Sequence, residues 1–109
     1  TPSYGLYLAT FLEKHGVNPR RDLKLRKAFV GAEPYTEETR RKIEQGLGLD
    51  VYNSYGLSEM NGPGVAFECE HKAGLHLWED NYILEIINPA TGERLPEGQT
   101  GAVSGAPSR

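Results

Sequence analysis

The residues best suited to chemistry lie in one pentapeptide, Tyr55-Gly56-Leu57-Ser58-Glu59. Each type has a use at a nucleotide: the tyrosine offers an aromatic face on which a base can stack, and the glycine lets the backbone come close to a ligand. The Ser58 hydroxyl can hydrogen-bond a phosphate oxygen, and the Glu59 carboxylate is a hard oxygen ligand for Mg²⁺. The same residues also suit a plain turn, with Tyr55 in a core, Gly56 at the bend and Glu59 in solvent. What surrounds the pentapeptide decides between the two.

Two strands and a helix must position it. Leu25 to Val30 contains the short apolar patch Ala28-Phe29-Val30, which stops at Gly31 and predicts a buried strand leading into Gly31-Ala32-Glu33-Pro34. Thr36 then predicts a helix N-cap. Glu37 and Glu38 in the first turn and Arg40, Arg41 and Lys42 later complement the helix dipole, and Gly46 and Gly48 end the helix. Asp50 to Tyr55 predicts the second strand. Strand, helix and strand in this order predict a right-handed βαβ crossover in a parallel sheet, with both glycine-led loops at the carboxyl ends where open α/β sheets bind ligands.

The flanks are simpler. Ser3 can cap a first helix with Tyr4, Leu8, Phe11 and Leu12 on one face, ended near Gly16, with His15 at its carboxyl end. After Gly62 the pattern changes to short extended pieces, Val65–Glu68, Leu75–Trp78, Tyr82–Ile87 and a last one near Ala102-Val103, which predict a β-meander. Asn88-Pro89-Ala90-Thr91-Gly92 is a turn, and the small-residue tail Ser104–Ser108 is expected to fray.

Composition excludes several classes. Over 109 residues the formal charge is −3, and the bases are spread among acids except at Arg40-Arg41-Lys42, read as a solvated helix face, so no nucleic-acid surface is indicated. A single cysteine, Cys69, leaves no internal disulfide and suits a reducing compartment. No apolar run nears the roughly 20 residues a membrane span needs, and the first residues do not resemble a signal peptide, so a cytoplasmic location is expected.

The motifs from Gly31-Ala32-Glu33-Pro34 and Tyr35-Thr36-Glu37-Glu38-Thr39-Arg40, through Tyr55–Glu59 and Gly62–Cys69, to Gly74-Leu75-His76-Leu77-Trp78-Glu79-Asp80 resemble phenylacetate-CoA ligases in order and spacing. Tyr55–Glu59 resembles the Tyr-Gly-x-Thr/Ser-Glu motif of adenylate-forming ligases. The resemblance implies that an aryl-acetic acid and Mg-ATP give an acyl-adenylate, and that coenzyme A then takes the acyl group as a thioester. It implies that Tyr55 stacks on adenine, Ser58 contacts the α-phosphate and Glu59 holds Mg²⁺, with Ser58 and Glu59 the catalytic pair. Gly31, Ala32, Glu33, Pro34 and Gly56 would line the adenine pocket. Met60, Gly62, Pro63 and Gly64 would border the aryl carboxylic acid.

On this basis the chain is α/β, a βαβ portion followed by a β-meander, from the large N-terminal domain of an adenylate-forming enzyme. Residues 1–61 form the nucleotide-binding α/β segment and residues 62–109 the β-rich segment. The family's Ser/Thr/Gly-rich phosphate loop and its Arg-Tyr-Arg-Thr-Arg-Asp segment do not occur among these residues, so the chain is expected to be a fragment that is inactive alone and prone to self-association through exposed strand edges.

Alternatives from other classes stay open. A non-catalytic remnant or nucleotide-binding module of the same fold would retain these motifs. Cys69, His71 and His76 offer thiolate and imidazole ligands for zinc, although their spacing matches no standard finger and a fourth ligand is not evident. Trp78 could pack on a ligand or in a core. The Glu33 side chain could bind a ligand, cap the following helix or face solvent.

Overall fold

The computed structural model describes residues 1–60 and 62–108. The first helix, α1 (Pro2–Lys14), starts earlier than Ser3 suggests. Its N-cap is Thr1, whose Oγ1 accepts a hydrogen bond from the Tyr4 amide. Pro2 occupies the first turn, where its missing N–H costs nothing. His15 is the C-cap, and its Nδ1 lies 2.8 Å from the Phe11 carbonyl oxygen.

A short helical turn, α2 (Pro19–Asp22), leads to β1 (Lys27–Val30). Helix α3 (Glu37–Leu47) begins at Thr36, whose hydroxyl accepts from the Thr39 amide, and ends at Gly48 in the left-handed conformation at φ 68°. Gly46 lies inside the helix because a Cβ there would press on Ala9 of α1, so its role is close helix packing. Strand β2 (Asp50–Leu57) runs two residues past Tyr55.

The β1–α3–β2 unit has the expected parallel pairing, with Lys27 opposite Asp50 and Val30 opposite Asn53. Beyond Asn53, β2 changes partner. Ser54 to Leu57 pair antiparallel with β3 (Gly62–Glu68), through a register shift at Tyr55/Gly56, and β3 pairs with β4 (Leu75–Leu77). A single four-stranded sheet therefore has a parallel half and an antiparallel half, joined within one strand.

The meander is interrupted, because β5 (Tyr82–Ile87) pairs with β6 (Ala102–Pro107) in a separate sheet. The tail expected to fray is thus ordered: Ser104 pairs with Glu85, Gly105 with Leu84 and Pro107 with Tyr82. Small residues do not prevent pairing when the opposite strand is apolar and long enough. The predicted turn is present, with the Gly92 amide donating to the Asn88 carbonyl and Gly92 at φ 74°. Two sheets set apart make the chain elongated, with a radius of gyration of 16.9 Å, above the roughly 13 Å of a compact domain of this length.

The core lies under the parallel half: Val30, Ile43, Leu47, Leu49 and Val51, covered by Leu6, Leu8, Ala9 and Leu12 of α1. The α1 face differs from the one expected, since Tyr4, Tyr7 and Phe11 are exposed and form a ladder with ring centroids 6.0 and 6.1 Å apart. Ile43 is 1% exposed. Ile43→Ala should lower stability by about 2–5 kcal/mol through lost burial and the cavity left behind, read as a lower urea midpoint with an unchanged slope. No helix among the described residues is long and apolar enough to cross a membrane.

Candidate active site

A cleft of about 940 Å³ opens at the carboxyl ends of β1 and β2. Gly31 and Ala32 line it after β1, and Ser54, Gly56, Leu57 and Ser58 line it at the end of β2. Pro63 and Gly62 close one side, and Phe29, Phe67, His76 and Trp78 supply an aromatic wall. The two loops singled out by sequence therefore share one space, as the crossover requires. Ala32 holds φ at 70°, uncommon for a residue with a side chain, at the turn that brings this loop to the rim.

The loops approach closely because two glycines allow it. A Cβ on Gly31 would collide with the Ser54 carbonyl oxygen. A Cβ on Gly56 would lie 2.5 Å from the Gly62 carbonyl oxygen, 2.7 Å from Pro63 Cα and 2.9 Å from Gly64 N. Both are backbone contacts that no rotamer can relieve.

Not every expected site residue faces this cleft. Tyr55 is half-buried and absent from the lining, between the cleft-lining Ser54 and Gly56 and next to the register shift of β2. Met60 is buried; its Cε comes within 3.4 Å of the Cβ position of Gly105, and its carbonyl accepts from the Tyr82 hydroxyl. The side chain that sequence placed beside an acyl group instead joins the two sheets. Gly64 and Pro34 are also absent from the lining.

Glu33 has a different use from those considered. Its carboxylate accepts the Ser3 amide at 2.6 Å, capping α1 rather than the helix that follows it, and this bond holds the carboxyl below its ordinary pKa. The Glu33 carboxylate is thus engaged in the fold, while Ala32 and Pro34 of the same loop are exposed. Ser58 and Glu59 lie in a 3₁₀ turn (Ser58–Met60), both exposed, and Ser58 lines the cleft.

The donor types suit Mg²⁺ with a nucleotide, since Ser58 and Glu59 give an exposed hydroxyl and an exposed carboxylate on adjacent residues and the ion keeps several waters and takes one or two carboxylates plus phosphate oxygens, although Glu59, unlike Ser58, is absent from the cleft lining. Zinc is a poorer match. Among the described residues no three His, Cys, Asp or Glu side chains converge as a metal site, so Cys69, His71 and His76 do not form one. His76 and the half-exposed Trp78 line the cleft instead, which settles Trp78 as a wall residue outside the core.

Sequence reasoning missed the buried charge beneath the site. Arg40, expected on a solvated face, is 5% exposed. Its Nη1 donates to the Val51 carbonyl at 2.9 Å and to Glu68 Oε2 at 2.7 Å, and its Nη2 donates to Glu68 Oε1 at 2.7 Å. Its Nε lies 3.0 Å from a Glu37 oxygen, at an angle that forms no hydrogen bond. The bidentate pairing raises the Arg40 pKa and lowers that of Glu68.

Residues 2–104 match the family described as AMP-binding enzyme. A phenylacetate-coenzyme A ligase of Pseudomonas putida is 57% identical over 102 residues, which are 93% of this chain and 23% of that protein. One from Thermus thermophilus is 49% identical over 94% of this chain and 23% of its own length. Among solved structures, a 2-hydroxyisobutyryl-CoA ligase in complex with 2-HIB-AMP and CoA superposes with a TM-score of 0.84 at 30% identity, over 96% of this chain and 25% of that one. The chain spans about a quarter of the length of the proteins it matches.

Proposed function

This chain belongs to the AMP-binding enzyme family, and from that premise we propose that it forms one wall of the adenylation site of an aryl-CoA ligase, with phenylacetate as the acid. The observation that carries the proposal is the shared cleft: the Gly31-Ala32 loop and the end of β2 from Gly56 to Ser58, distant in sequence, line one space in a chain similar over 93% of its length to a phenylacetate-coenzyme A ligase.

In the proposed reaction a carboxylate oxygen of the acid attacks the α-phosphorus of ATP, a carboxyl–phosphate bond forms, and pyrophosphate leaves with the broken bridge. The thiolate of coenzyme A then attacks the acyl carbonyl, and AMP leaves with its oxygen. Ser58 donates a hydrogen bond to an α-phosphate oxygen, and the Glu59 carboxylate would hold Mg²⁺. Bound Mg²⁺ would neutralise charge developing on the phosphates. Gly31 and Ala32 meet the nucleotide through backbone and Gly62 and Pro63 border the acid, whereas Tyr55, the aromatic face that the family resemblance implies for adenine, lies outside this lining. Positioning and charge neutralisation account for most of the acceleration in this chemistry, and these are what the wall supplies.

One wall binds weakly. A ligand with millimolar Kd supplied at ten times that concentration stabilises the folded state by about 1.4 kcal/mol, so Mg-ATP at about 10 mM should raise the melting temperature by about 6 °C. The rise should vanish with EDTA and in Glu59→Ala. No rise at that concentration would count against the nucleotide site. In the coupled assay, these 109 residues should form phenylacetyl-CoA no faster than the Glu59→Ala control; clear ATP-dependent thioester formation would show that one wall is not all they provide.

A further inference from the structure

The Arg40–Glu68 pair lies where β2 changes partner. Asn53 is the last β2 residue paired with β1, Ser54 is the first paired with β3, and the Asn53 amide donates to Glu68 Oε2 at 2.6 Å. Glu68 closes β3, directly after Phe67, the partner of Ser54. The same carboxylate binds Arg40 of α3, which also holds the Val51 carbonyl. Both side chains are 6% exposed. Three elements are thus tied at the residue preceding the antiparallel end of β2, which leads into Ser58 and Glu59, and Glu68 itself contributes to the cleft lining.

We propose that Arg40 and Glu68 are positioning residues that fix the switch of β2 from parallel to antiparallel pairing and thereby set the geometry of the Ser54–Glu59 segment, the antiparallel end of β2 and the turn that follows it. A buried ion pair is a weak means of stabilising a fold, since apolar residues of similar volume often do as well. Its directional bonds do what apolar packing cannot. They hold the Val51 carbonyl against α3 and the Asn53 amide against β3, so β2 enters its antiparallel pairing at one angle. Only the ligand arm of the following test rests on the adenylation proposal.

The test separates positioning from stability with Arg40→Met/Glu68→Gln in the full chain. This double substitution removes both buried charges and keeps an acceptor for the Asn53 amide, so the melting temperature should return most of the way from that of Arg40→Met towards the unsubstituted value. Amide hydrogen exchange at Ser54, Tyr55 and Leu57 should nevertheless stay about tenfold faster than in the unsubstituted chain, as expected from loss of charge-assisted bonds. The β5 amides Leu84 and Ile86 serve as the internal reference and should not change. Mg-ATP affinity should remain reduced to a similar extent.

Exchange that recovers together with the melting temperature overturns the proposal, whatever ATP does. Fast exchange of this segment in a chain whose unsubstituted form also fails to bind Mg-ATP supports the positioning role and rejects the nucleotide site. Should the double variant not fold, Arg40→Lys keeps the charge but not the two-pronged geometry. Faster exchange confined to the segment then supports the proposal, and unchanged exchange overturns it.

Discussion

Arg40→Met lowers the unfolding free energy at pH 7 by about 3–5 kcal/mol, because it leaves the Glu68 carboxylate buried without its counter-charge. Both side chains of the pair are 6% exposed, so solvent screening does little to soften the loss. The effect also has a definite pH dependence. In the unsubstituted chain the hydrogen bonds from Arg40 hold the Glu68 pKa below its ordinary 4.5. Its contribution is therefore fully present above that value and is lost as pH falls through the lowered folded pKa. In Arg40→Met burial acts without the partner and raises the folded pKa, so protonation of Glu68 relieves the variant as pH falls. The difference in urea unfolding free energy should accordingly shrink between pH 7 and the pH at which Glu68 protonates in the unsubstituted chain. A gap that stays constant over that range would show that Glu68 does not carry the cost.

Gly56→Ala has the second large effect, and it acts on structure and ligand together. The added methyl would lie 2.5 Å from the Gly62 carbonyl oxygen and 2.7 Å from Pro63 Cα. Overpacking a core typically costs about 1–3 kcal/mol when side chains can yield, and here the colliding atoms are backbone, which places the cost at or above the upper end. The less costly escape is for β2 and β3 to part at the Tyr55/Gly56 register shift. That would move Ser58 and Pro63 apart, so Mg-ATP stabilisation should be lost even where the melting temperature is partly retained. Gly74 is a useful control, since a Cβ there meets nothing within 4 Å, although its φ of 140° carries a backbone cost of its own. Stability and Mg-ATP response both unchanged in Gly56→Ala would show that the loops do not need this close approach.

The residues that sequence and structure assign alike are those governed by local rules. Thr36 caps α3, Gly48 ends it in a left-handed turn, Asn88 to Gly92 form the turn, and Gly31 follows a strand whose partner is the next strand of a βαβ unit. Each follows from side-chain bonding or backbone freedom within a few residues. The order of motifs from Gly31 to Asp80 likewise pointed to the AMP-binding family without any knowledge of contacts.

What only the tertiary structure decided concerns Tyr55–Glu59 and its support. The capping of the Ser3 amide by Glu33 and the order of the tail depended on partners far away in the chain, and so did the burial of Arg40 by Glu68, 28 residues distant. A run of Arg-Arg-Lys on a helix has the local signature of a solvated face whether or not a carboxylate from another strand waits beneath it. Tyr55–Glu59 shows the same division. Its residue types indicated nucleotide chemistry, but a pentapeptide contains nothing about which side chains share a face. The change of partner at Asn53 and the register shift at Tyr55/Gly56 put Ser54, Gly56, Leu57 and Ser58 in the cleft and left Tyr55 outside its lining. Chemistry was legible from residue types because it depends on functional groups; geometry was not, because it depends on pairings between distant segments.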